Sequence, residues 1–127
     1  MEVGEYIMQS EVHNLNALRL IRTVKDLNQE EFAGYFLCTK AYISAVEHGK
    51  RQMTFRTLKS GLTEMKISVE GYFELEKLRD YMLEMNMDSL SIYRCMLAKT
   101  IGLVNPDLEE QAELLVAQIL NKKSRQR

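Results

Sequence analysis

A chain of 127 residues, 46% apolar and 28% charged, has the composition of an ordinary globular protein and is long enough to bury a real core. A net charge of −1 excludes a uniformly basic nucleic-acid coat, and a single Pro with no low-complexity run excludes compositional disorder. No stretch approaches the roughly 18 apolar residues of a membrane span. The amino-terminal MEVGEYIMQSEV is acidic and lacks the basic-then-apolar order of a secretory signal. Cys38 and Cys95 lie far apart without metal-ligand spacing, which fits reduced buried thiols in a cytoplasmic protein.

Residues 1–10 carry Val3, Tyr6 and Ile7, in the pattern of either a short helix or an arm. Asn14 to Val24 reads as the first helix, with Asn14 as its cap and Leu15, Leu18 and Ile21 turned inward. Lys25-Asp26 breaks it. Asn28 then begins a capping box with Glu31, so a second helix runs from Gln29 to Tyr35 or Phe36, with Phe32 and Phe36 paired one turn apart. Gly34 inside this helix costs stability and is expected to admit a close neighbour. Thr39 caps a third helix over Lys40 to His48, with Ile43 and Val46 inward and Gly49 supplying a left-handed stop.

Thr54 caps a fourth helix, Phe55 to Met65, with Leu58 and Leu62 inward, and Ser68 caps a fifth that runs to about Met85 through Leu75, Leu78, Tyr81 and Met82. Asn86-Met87-Asp88 reads as a break, with Asp88 capping a helix through Ile92, Tyr93, Met96 and Leu97 that Gly102 can end. Asn105-Pro106 restarts the chain in the favoured cap-then-Pro order. Asp107, Glu109 and Glu110 suit the positive end of the last helix, and Lys122 and Lys123 its negative end. Leu108, Leu114, Leu115, Val116, Ile119 and Leu120 give that helix a broad apolar stripe. The fold class is therefore all-α.

Two short helices joined by three or four residues form a helix-turn-helix unit. The detail of Leu18 to Phe73 resembles the Xre/Cro family, the lambda-repressor-like helix-turn-helix regulators. The resemblance rests on Leu18-Arg19 with Arg22, on Leu27, Gln29-Glu30-Glu31-Phe32-Ala33 and Thr39, and on Tyr42-Ile43-Ser44 with Val46-Glu47. It continues through Gly49-Lys50-Arg51, Thr57-Leu58, Ser68 and Phe73. The chain departs from the family pattern where Leu37 and Lys66 stand in place of Gly and His48 in place of Asn. The resemblance implies a five-helix DNA-binding domain over residues 14–73. Residues 74–127 then form a helical extension that serves dimerisation, because two-fold dimers read half-sites about one helical turn apart.

Charge distribution points the same way. From Leu37 to Leu62 the bases Lys40, Lys50, Arg51, Arg56 and Lys59 face one acid, Glu47. The expected function is a double-stranded-DNA-binding transcription regulator, a repressor, whose helix 40–48 enters the major groove. Lys40, Ala41, Ser44 and Ala45 are its base-reading residues: Lys40 suits guanine O6 or N7, and Ala41 a thymine methyl. Gln29, Tyr42, His48, Lys50 and Arg51 are the phosphate-binding residues, with Tyr42 open to the alternative of packing under the helix. Glu47 is expected to pair with Arg19 or Arg22. The basic tail 122–127 is either a solubilising end or a second DNA contact.

An enzyme finds no support in the sequence. His13 and His48 have no second ligand at helical spacing, and there is no Gly-rich phosphate loop and no G-x-S-x-G element. No catalytic residue, metal or cofactor is expected. The competing reading is an antitoxin or protein-interaction module whose C-terminal helices bind a partner protein. The adaptable Met-rich stretch Tyr81 to Met87 would also suit a regulatory protein or peptide.

Overall fold

The computed structural model describes residues 15–125 and is all-helical over that range. Seven α-helices follow one another: α1 (Ala17–Val24), α2 (Gln29–Tyr35), α3 (Lys40–Glu47), α4 (Phe55–Glu64), α5 (Val69–Glu84), α6 (Ser89–Val104) and α7 (Glu109–Arg125). A 3-10 turn, Pro106–Leu108, precedes α7. No helix among the described residues is long and apolar enough to cross a membrane.

The helix starts are set by side-chain caps that satisfy otherwise orphaned backbone donors. Asn28 accepts from the Glu31 N–H at 2.8 Å while the Glu31 carboxylate accepts from the Asn28 N–H at 3.0 Å, which completes the expected capping box. Thr39, Thr54, Ser68 and Asp88 each accept from the N–H three residues on. The cap of α1 is Asn16, which accepts from the Arg19 N–H at 3.0 Å. The first helix therefore begins two residues later than the sequence suggested, and Asn14, like the amino-terminal stretch with Val3, Tyr6 and Ile7, lies outside the described residues. Asn105 makes no side-chain cap bond; it precedes a 3-10 turn with Pro106 at its first position.

The helix ends share one geometry. Asp26, Leu37, Gly49, Lys66 and Asn86 have φ of 55°, 53°, 73°, 60° and 56°. In each case the next residue's N–H closes back onto a carbonyl five residues earlier: Leu27 on Arg22, Cys38 on Ala33, Lys50 on Ala45, Ile67 on Leu62, Met87 on Met82. These are Schellman ends. Leu37 and Lys66 thus adopt the left-handed conformation even though each carries a Cβ, and Leu37 does so with 89% of its surface exposed.

One hydrophobic core runs through the chain, from Leu15, Leu18 and Ile21 through Phe32, Ile43, Leu62, Leu75 and Met82 to Ile92, Met96 and Ile119. The Phe32 and Phe36 rings meet at 5.0 Å. Helices α2 and α3 pack on each other, α6 packs on both α1 and α5, and α7 returns along α6. The expected division at residues 73 and 74 falls inside the continuous helix α5, and the core spans both sides of it. The expected stripe splits: on α7 Val116 and Ile119 are buried, joined there by Ala112, whereas Leu114 and Leu115 stay exposed, and Leu108 is exposed in the 3-10 turn before it.

Two glycine expectations are corrected. Gly34 has no atom near the place a Cβ would take, so it admits no close neighbour. Gly102 does not end α6, which continues to Val104; a Cβ there would lie 2.9 Å from the Ala112 Cβ and 3.2 Å from the Glu109 Cα. Its missing side chain is what lets α7 approach α6. Cys95 is fully buried as expected, whereas Cys38 is only half-buried.

Candidate nucleic-acid interface

Helix α3 is short, so its orientation depends on what holds it. Ile43 and Val46 anchor its inner face in the core. Its last residue, Glu47, is the most deeply buried charged residue described, with 1% of its side chain exposed. That carboxylate accepts from Arg22 Nε at 2.7 Å and from the second Arg22 nitrogen, Nη2, at 3.0 Å, a bidentate pairing. Of the two expected partners, Arg22 is the one found. Its remaining nitrogen, Nη1, donates to the Leu27 carbonyl at 3.0 Å, so the guanidinium joins α1, the α1–α2 turn and α3. Asn16 adds a bond from its Nδ2 to the Val46 carbonyl at 3.3 Å. The residue that caps α1 thus also ties down the end of α3, a role not visible in the sequence because it spans 30 positions.

The opposite face of α3 is bare. Lys40 and Ala41 are exposed at its first turn, and Ser44 and Ala45 are half-buried one turn on. Lys40 and Ala41, two of the residues expected to read bases, are not packed under any described residue. The residues assigned to phosphate binding are less uniform. Gln29 donates from Nε2 to Glu47 at 3.3 Å, which fixes its amide beside the buried ion pair and leaves its second N–H for another acceptor. His48 caps the C-terminal end of α3, with Nδ1 2.7 Å from the Ser44 carbonyl.

Tyr42 and Arg51 act together. The Arg51 guanidinium sits 5.1 Å above the Tyr42 ring centroid, a cation–π contact that holds an exposed arginine beside the helix. Tyr42 is half-buried and packed against the core, so it serves as a platform under Arg51. Lys50 and Arg51 are exposed in the loop that follows, and Arg56 and Lys59 are exposed on α4. No group of three potential metal ligands occurs among the described residues.

Beside that loop lies an open groove of about 560 Å3 between residues 49–53 and α5. Phe55 and Phe73 line it with rings stacked at 6.1 Å and 17°, and they remain 57% and 37% exposed. Neither ring is among the residues that the sequence assigns to DNA contact; Phe55 is read there only as the start of a helix and Phe73 as part of the family resemblance. Tyr72 lies beneath, donating to Glu76 at 3.1 Å, and burial followed by the Glu76 charge pushes its phenol well above the ordinary value. Comparison with protein families, curated proteins and solved structures returns no match for this chain.

Proposed function

We propose that this protein is a sequence-specific double-stranded DNA-binding transcription regulator of the Xre/Cro type, acting as a repressor. In this reading α1 to α5 form a lambda-repressor-like unit, α3 enters the major groove, and a homodimer forms through the C-terminal helices. The supporting observation is the asymmetry of α3. Its buried side is fixed by Arg22, Asn16 and the core, while Lys40 and Ala41 face solvent and Lys50 and Arg51 extend the cationic edge. A reading helix needs that combination, because base contacts discriminate only when the helix cannot drift in the groove. The second N–H of Gln29, with His48, Lys50 and the Tyr42-supported Arg51, would set register on phosphates.

Exposed Leu114 and Leu115 on α7, with exposed Leu108 in the turn before it, support a contact between copies. They equally favour the alternative of an antitoxin that covers a partner protein with these helices. Recovery of a small partner with the native protein would select that alternative.

The test is selection from random duplex DNA at two salt concentrations, with Lys40→Ala and Lys50→Ala in parallel. The expected result is a palindrome with half-sites roughly 10 base pairs apart. Lys40→Ala relaxes base preference, and Lys50→Ala weakens binding evenly across sequences. Enrichment of nothing, with only salt-sensitive and sequence-blind binding, overturns the reading.

A further inference from the structure

We propose that the groove beside the α3–α4 loop is a second nucleic-acid site, one that takes an unpaired nucleotide of a single strand. The argument begins with the aromatic pair. Phe55 and Phe73 are parallel to within 17° and both are exposed, an arrangement that packs no core and leaves ring surface for a further flat group. Purine and pyrimidine rings are such groups, and stacking on an aromatic side chain tolerates any base because every base has a π-face.

The rim supplies the rest. Lys50, Arg51 and Arg79 line the groove against one carboxylate, Glu76. Arg79 is already occupied, with Glu76, Asp80 and the Leu15 carbonyl around it, so the cations left to meet an anion are Lys50 and Arg51. Both are exposed on the loop that forms one wall. A base on the rings and its phosphate on that loop together match the two kinds of lining. The groove's volume falls in the range of small-ligand sites, so it accepts a whole nucleotide.

A strand fits better than a free mononucleotide. The groove is open, and the helix that carries Phe55 also carries two further exposed cations outside the groove lining, Arg56 and Lys59, which a chain of phosphates could use and a single one would not. The site goes beyond the duplex reading and does not need it: Lys40 takes no part here, whereas Lys50 and Arg51 serve both, so single strand and duplex compete.

The test uses the full chain and a labelled twelve-residue oligothymidylate, followed by fluorescence anisotropy. Phe55→Ala is expected to weaken its binding on the order of tenfold while leaving duplex affinity and the melting temperature near wild type. Lys40→Ala leaves oligothymidylate binding unchanged. The chain has no Trp, so Phe55→Trp places a single indole in the groove. That variant retains binding, and its emission is quenched as the strand is added. No binding by the wild type, or equal binding by wild type and Phe55→Ala, overturns the proposal, the second because charge alone would then account for affinity. Loss of both duplex and single-strand binding in Phe55→Ala, together with dissociation in sedimentation, also overturns it and assigns the stacked pair to a contact between copies. Failure of the duplex selection with this result intact would sink the regulator reading alone.

Discussion

Glu47→Ala is the most informative single change to stability. In the native chain the carboxylate is 1% exposed and the Arg22 side chain 17% exposed, so both charges are largely out of water and compensated by each other. Removing the carboxylate leaves Arg22 with one remaining acceptor, the Leu27 carbonyl, and leaves Gln29 without its bond to Glu47. Breaking a buried pair from one side costs about 3–5 kcal/mol, a large part of the 5–15 kcal/mol that holds a domain together. At roughly 3–6 °C per kcal/mol for a chain of this length, the melting temperature falls by about 9–30 °C. Thermal and urea unfolding by circular dichroism measure it. The double change Arg22→Met with Glu47→Leu removes both charges and replaces them with apolar volume, and its loss is expected to be far smaller than the sum of the single changes. A Glu47→Ala loss below about 1 kcal/mol, the range of a solvent-exposed pair, would refute the claim that this ion pair fixes α3.

Three further outcomes follow from the geometry. Leu37→Gly is expected to stabilise the fold by roughly 1 kcal/mol in urea unfolding, because relief of the left-handed strain exceeds the added freedom of the unfolded chain and an 89% exposed side chain loses no packing; a loss of stability would show that Leu37 makes a contact elsewhere. Gly102→Ala is expected to cost about 1–3 kcal/mol by pushing α7 off α6, with the effect concentrated in hydrogen exchange of those two helices. Burial pushes the Cys95 thiol up to about 11, from an ordinary value near 9.0. The unfolded chain therefore loses its proton first, and stability that is whole below pH 9 declines as pH rises towards 11. Cys95→Ala should flatten that slope without abolishing it, since Cys38 is shifted in the same direction, and an unchanged slope would place the titration elsewhere.

Much of the architecture was legible because local chemistry dictated it. Asn28, Thr39, Thr54, Ser68 and Asp88 could be assigned as caps because each stands immediately before an apolar period and has a donor three residues on. For the first helix the expected cap was Asn14, whereas Asn16 takes that place, with extended backbone and a bond from the Arg19 N–H; apolar periodicity fixes a helix face and not its first residue. The glycines misled for a related reason: composition shows that a Cβ is missing but not which neighbour would have met it. Gly34 faces open space, while Gly61, which no periodicity marked, faces the Phe36 ring. At the candidate site Lys40, Lys50 and Arg51 emerged where their spacing placed them. Gln29 could not be resolved, because its bond to Glu47 joins residues 18 positions apart. The Phe55–Phe73 stack was hidden for the same reason: each residue is ordinary alone, and the feature lies in the pair.

The junctions between helices carry a further argument about where function sits. Four of them repeat one short grammar, Lys25-Asp26-Leu27-Asn28, Phe36-Leu37-Cys38-Thr39, Met65-Lys66-Ile67-Ser68 and Met85-Asn86-Met87-Asp88. In each, a left-handed residue is followed by an apolar residue packed on the core and then by the cap of the next helix. Hydrophobic burial and two backbone bonds hold the left-handed residue in place, which explains why Asp, Leu, Lys and Asn serve where Gly is cheaper. The α3 end departs from this pattern by insertion. Its left-handed residue is Gly49, the next residue is the exposed Lys50, and the apolar residue packed on the core, Met53, comes three residues later, directly before the cap Thr54. The positions inserted between the left-handed residue and the apolar anchor are Lys50, Arg51 and Gln52, all exposed and two of them cationic. The junction this chain lengthens is the one that carries Lys50 and Arg51 to the edge of both proposed nucleic-acid sites.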